Sequence, residues 1–162
     1  MNFVSILNIK INSIYLNDLL RKMKEGVVFT PNLDHLVKLQ KDEEFYNAYK
    51  KADWIICDSK IMYLFSKIFN KKIKETIPGS SLLPEFYYYH KNNQNVRIFL
   101  LGAAEGVAET AKNKINSKLK RAMVIGCHSP SFGFEKNEEE CGKIVSIINN
   151  SKANVLVVGV GA

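Results

Sequence analysis

The sequence predicts an α/β fold, Rossmann-like in the broad sense, with a mostly parallel sheet and helices on both faces. Two observations carry this. Short apolar runs of strand character alternate along the chain with stretches whose apolar residues recur at helical spacing. Residues 97–119 then read as one complete unit: an apolar strand, the break Gly102-Ala103-Ala104, and a helix with Val107, Ala111, Ile115 and Leu119 on one face. Strands separated by helices of this length pair in parallel through right-handed crossovers. The 162 residues, 46% of them hydrophobic, suffice for the core of one domain spanning 1–162.

The elements follow in order. Residues 4–11 alternate like a strand, and Leu16, Leu19, Leu20 and Met23 make a helical stripe ended by Gly26. Val27-Val28-Phe29 is a short buried strand. Asn32 is placed as an N-cap, with Leu33, Leu36 and Val37 at helical spacing behind it. A second helix covers 43–51. Residues 54–57 form the next strand, stopped by Asp58-Ser59, and Ile61, Leu64, Phe65 and Ile68 form another helical stripe. Residues 70–79 are a basic loop closed by Pro78-Gly79. The helix after it tolerates Pro84 only in its first turn. Beyond the 97–119 unit come strand 122–126, helix 139–149 and strand 154–158. The last strand runs into Gly159-Val160-Gly161-Ala162, the start of a βα turn with no helix behind it. That is the pattern expected of a truncated chain, with an uncovered sheet face that favours a homo-oligomer.

Composition narrows the function classes. The formal charge of +7 fits either an anionic partner or a solvated lysine-rich surface. No interleaved basic and aromatic motif supports nucleic-acid binding. Cys57, Cys127 and Cys141 lack metal-ligand spacing and read as small hydrophobes in a reduced, cytoplasmic protein. No apolar run approaches the roughly 20 residues that span a bilayer, so membrane contact is expected to be peripheral.

In parallel α/β sheets ligands bind beyond the carboxyl ends of the strands. That rule selects Thr30-Pro31-Asn32, Asp58-Ser59, residues 102–107 and residues 159–162. Asp58 directly follows a buried strand. A carboxylate against an apolar wall suits a general base, and aspartate is also a preferred N-cap; position alone favours the cap. The small residues Gly102, Ala103 and Gly106, ahead of Val107, would let a diphosphate approach backbone at a helix N-terminus. The same spacing also serves close helix–strand packing, and it is not a full dinucleotide fingerprint. His35 reads as an exposed or half-buried helix residue without a partner at useful spacing. His128 lies in a loop that either lines a sugar pocket or turns the chain.

The order of these segments resembles the WecG/TagA/CpsF glycosyltransferase family. The matching stretches are Thr30-Pro31-Asn32-Leu33-Asp34-His35, Asp42-Glu43-Glu44-Phe45, Ala52-Asp53 with Asp58, Pro78-Gly79-Ser80, Phe99-Leu100-Leu101-Gly102 with Gly106-Val107-Ala108, and Val157-Val158-Gly159-Val160-Gly161-Ala162. The resemblance implies an inverting hexosyltransferase that moves a sugar, N-acetylmannosamine or a relative, from a UDP-sugar to an undecaprenyl-diphosphate-linked saccharide in polysaccharide or teichoic acid synthesis. It implies no cofactor and no metal, the UDP-sugar being a co-substrate. It places the base on Asp58 and substrate contacts on Thr30, Asn32, Ser59, Gly79, Ser80, Gly102, Ala103, Gly106, Val107, Gly159 and Gly161. It also implies a peripheral position at the inner membrane face, reached through a C-terminal segment that this chain lacks.

Three positions depart from the family pattern: Ser59 where glycine is usual, Thr76 near a usual basic residue, and Ser81 where aspartate is common. They leave a second reading open, a degenerate or truncated UDP-sugar-binding homologue without transferase activity. A nucleotide-dependent oxidoreductase requires a full glycine fingerprint near the N-terminus, which is absent.

Overall fold

The computed structural model describes residues 2–70 and 72–160. The chain divides into two compact units, Met1–Phe86 and Tyr87–Gly161. Both are α/β with parallel strand pairing, as the alternating pattern requires.

In the first unit the alternating segment 4–11 is two strands, β1 (Phe3–Ile6) and β2 (Ile9–Asn12), paired antiparallel. The turn between them is made by Leu7, at φ 51, and Asn8. A left-handed leucine is uncommon, which is why strand alternation alone did not reveal this turn. Helix α1 (Leu16–Lys22) buries Leu19 and Leu20 and ends well before Gly26. Strands β3 (Val28–Phe29) and β4 (Trp54–Ile55) pair in parallel, and Ile56 N–H extends the ladder to Phe29 O at 2.8 Å. Between them lie α2 (Leu33–Lys38), capped by Asn32, and α3 (Glu43–Lys50), capped by Asp42. The core joins Val4, Ile9, Ile11, Leu36, Leu39, Tyr49, Cys57, Met62 and Ile73. A second cluster gathers Leu19, Trp54, Ile56 and Ile77.

One expectation of position holds here and one fails. Helix α4 (Lys60–Ile68) exists where the stripe placed it, but it turns Met62 and Ser66 inward. The stripe itself, Ile61, Leu64, Phe65 and Ile68, faces out. Helix α5 (Gly79–Tyr89) begins at Gly79, so Pro84 sits inside it rather than in its first turn. Proline offers no N–H to the carbonyl of Ser80 four residues earlier. Ser80 is exposed, so water can serve that carbonyl.

The second unit is a three-stranded parallel sheet in the order β6-β5-β7: β5 (Ile98–Gly102), β6 (Val124–His128) and β7 (Val155–Gly159). Every residue of β5 is buried, as befits a central strand. Helix α6 (Val107–Leu119) buries Ala108 and Ile115 and leaves Val107 exposed, so its inner face is one residue from the predicted start. Helix α7 (Glu138–Asn150) is capped by Asn137 and follows a 3₁₀ turn, Phe134–Lys136. No described helix is long and apolar enough to cross a membrane.

Candidate active site

The parallel pair β3–β4 sends two chain segments out side by side. Thr30-Pro31-Asn32 leaves β3, and Cys57-Asp58-Ser59 follows β4. They are tied together: Asp58 N–H reaches Pro31 O at 3.4 Å, and Pro31 is fully buried. A third segment joins them. Ile77 N–H donates to Cys57 O at 2.7 Å, which brings Pro78-Gly79 alongside. Gly79 N–H then donates to Asp58 Oδ1 at 3.1 Å. A Cβ on Gly79 would stand 3.0 Å from Thr30 Oγ1. Thr30, Asp58 and Gly79, far apart in sequence, therefore meet at one sheet end.

This geometry shows which residue caps α4. The cap of α4 is Ser59, whose hydroxyl accepts from Met62 N–H at 3.4 Å. Asp58 is one residue upstream, its carboxylate directed to the first residue of α5 instead. Asn32 caps α2, its side-chain oxygen accepting from His35 N–H at 3.0 Å. The oxygens of Asn32 and Ser59 are thus engaged in holding helix ends. Ser80 lies exposed in the first turn of α5.

His35 is the residue that sequence reasoning passed over. Its Nδ1 lies 2.6 Å from the Tyr49 hydroxyl, and its ring packs edge-on against Phe45 and Tyr49. Burial lowers its pKa from the ordinary histidine value, while the negative charge of Asp58 opposes that shift. Burial raises the Tyr49 phenol far above its ordinary range, so the phenol stays protonated. The available signal was the position of His35, three residues after the Asn32 cap and so on the first turn of the helix above the strand end.

The second group of predicted residues belongs to the second unit. Gly102 ends β5 at φ +120, and a Cβ there would collide with the carbonyl of Gly159 on β7. Its glycine is thus required by close approach of two strands, where the sequence offers helix–strand packing as the alternative to a ligand role. Ala103 also has positive φ, 62, and donates its N–H to Gly159 O at 3.2 Å. Gly106 caps α6 in the left-handed region, with nothing near its Cβ position. Gly159 likewise has open space around its Cβ position. Residues 103–107 are exposed. Ser129 Oγ donates toward Gly102 O and Ala104 O at 3.3 and 3.2 Å, bracing the loop. In the first turn of α6, Glu109 accepts from Cys127 Sγ at 2.9 Å, a bond that holds its carboxyl below the ordinary value. Gly161 lies outside the described residues.

A cavity of about 250 Å³ lies elsewhere in the first unit, lined by residues that include Asn12, Asp18, Lys22, Trp54 and Lys74. It includes none of the predicted site residues. Among the described residues no three of His, Cys, Asp and Glu are grouped to hold a metal ion.

In each unit the segments beyond parallel strand ends carry the candidate residues, the place where α/β folds bind ligands. The model of the glycosyl transferase WecG/TagA/CpsF family matches residues 4–162, and the chain belongs to that family. Comparison with curated proteins gives no match.

Proposed function

We propose that this glycosyl transferase moves a hexose, N-acetylmannosamine or a close relative, from a UDP-sugar to an undecaprenyl-diphosphate-linked saccharide at the inner face of the cell membrane. Asp58 is its general base. The observation that supports this reading is the carboxylate of Asp58, held by Gly79 N–H beside Thr30 rather than used to cap α4. One oxygen is held; the other, Oδ2, takes the proton of the acceptor hydroxyl. The hydroxyl oxygen forms its bond to the anomeric carbon from the face opposite the diphosphate. The bond to UDP breaks, UDP leaves with the electron pair, and the configuration inverts. No cofactor or metal enters this scheme.

The UDP moiety is assigned to the exposed loop 103–107 and to Gly159, where open space around Gly106 and Gly159 admits a ligand close to backbone. The reading as a UDP-sugar binder without transferase activity has one observation in its favour: the side-chain oxygens of Asn32 and Ser59 serve helix caps.

The deciding experiment is sugar transfer from labelled UDP-hexoses to a lipid-diphosphate acceptor in detergent, with the product's anomeric configuration read by NMR. Transfer with inversion, lost in Asp58→Asn, is expected. Transfer with retention would remove the single-displacement scheme, and UDP binding without transfer would favour the binder.

A further inference from the structure

The outward face of α4 has no use in the scheme above. Ile61, Leu64, Phe65 and Ile68, with Phe69 just past the helix, are 48, 57, 51, 74 and 67% exposed. The adjoining side of the helix, next to Phe69 on the wheel, is buried through Met62 and Ser66. At 100° per residue the five exposed side chains fall within one arc of roughly 140°. Single exposed hydrophobics are ordinary, but five large ones on one helix face form a patch that calls for a partner. Phe65 and Phe69 are stacked, with ring centroids 6.5 Å apart and planes at 15°, so their rings form one continuous apolar surface.

The charge around it selects the partner. Residues 60–74 hold five lysines and no carboxylate. Lys60 and Lys67 fall beside the apolar arc on the wheel, and Lys67 Nζ sits 4.4 Å over the Tyr63 ring. A second copy docked on this face would set lysines against lysines. An anionic bilayer supplies phosphates for the lysines and acyl chains for the arc, the two requirements of a helix lying in the membrane interface. At nine residues α4 is about 13 Å long, suited to lie in that interface and far too short to cross it.

We propose that the α4 face, Ile61, Leu64, Phe65, Ile68 and Phe69 with Lys60 and Lys67, is a docking surface for an anionic lipid bilayer. This deepens the proposed function and rests on its membrane-borne acceptor. Vesicle binding is measured without sugar transfer, and transfer in detergent without vesicles, so either reading can fail alone.

The test is co-sedimentation of the chain with phosphatidylcholine vesicles and with equimolar phosphatidylcholine–phosphatidylglycerol vesicles across a salt series. Binding is expected on the anionic vesicles only, and weaker as salt rises. The double variant Leu64→Ser/Ile68→Ser should lose about tenfold or more in binding. Lys60→Glu and Lys67→Glu should each lose about fivefold. Circular dichroism melts confirm that the variants fold. In an Ile68→Trp variant, brominated lipid should quench fluorescence beyond the wild-type signal from the buried Trp54. The proposal is overturned if the wild-type chain ignores anionic vesicles, or if the serine variant binds them as the wild type does. It is equally overturned if that variant only breaks up an oligomer and leaves vesicle binding unchanged.

Discussion

Asp58 has two tasks that substitution can separate. Its carboxylate anchors the start of α5 through Gly79 N–H, and in the proposed scheme it accepts a proton. Asparagine keeps an acceptor oxygen but is no base. Asp58→Asn should therefore melt near the wild-type temperature while turnover falls roughly 10²–10⁴-fold. Asp58→Ala should lose the anchor as well, at about 1–3 kcal/mol. Thermal melts beside transfer assays check both; wild-type turnover in the asparagine variant would leave Asp58 a structural anchor only. His35 supplies a pH dependence. Burial lowers its folded pKa below the unfolded 6.5, so the folded state favours the neutral ring. Its contribution to stability is then fully present above pH 6.5 and is lost as pH falls through the folded value. The melting temperature should drop between pH 7.5 and 5, and His35→Gln should flatten that slope; an unchanged slope would assign the drop elsewhere. At this scale the sequence marked Asp58 and Ser59 as candidates but not their hydrogen-bond partners. Ser59 and Asp58 are both good caps by residue type, and only the hydrogen bonds, Met62 N–H to Ser59 Oγ and Gly79 N–H to Asp58 Oδ1, show which of them caps α4.

Elements were legible where period and punctuation agreed. Asn32 and the alternation of strands with helices follow directly from sequence. The side a helix turns inward was less legible, because a stripe at 3.6 spacing looks alike whether it faces inward or outward. Helix α4 shows this, with Met62 and Ser66 inside and the stronger stripe outside. The loop after β5 shows the matching ambiguity for glycine. Gly102 is small because β7 runs against it, with its φ of +120 adding strain for any L side chain. Gly102→Val should therefore unfold the second unit, by several kcal/mol on the order of other steric backbone clashes. Any accompanying loss of UDP affinity would then say little about the ligand. Gly159→Ala is the better probe, since its Cβ position is open and its φ is not positive. It should melt like the wild type and bind UDP more weakly by calorimetry. Unchanged affinity would move the nucleotide away from the end of β7.

Across the whole molecule, charge and apolar surface act in opposite directions on two kinds of association. Strand β7 stands at the edge of its sheet, with Leu156 and Val158 46 and 54% exposed and Val160 beyond it 46% exposed. An apolar edge strand offers both side chains and unpaired backbone groups to another copy. The net charge of +7 repels that copy at low salt and does so less as salt rises. Self-association through β7 should therefore increase with ionic strength, whereas attraction of α4 to anionic lipid should decrease. The two surfaces can be told apart on one set of samples. Sedimentation velocity over a concentration and salt series should show oligomers that grow with both, and Val158→Lys should shift them toward monomer. The same variant should bind vesicles as the wild type does. Leu64→Ser/Ile68→Ser should behave in the converse way, losing vesicles and keeping the oligomer. A monomeric wild-type chain at high concentration and high salt would show that the β7 edge does not drive association. Oligomers that dissolve as salt rises would instead make the contact electrostatic rather than apolar.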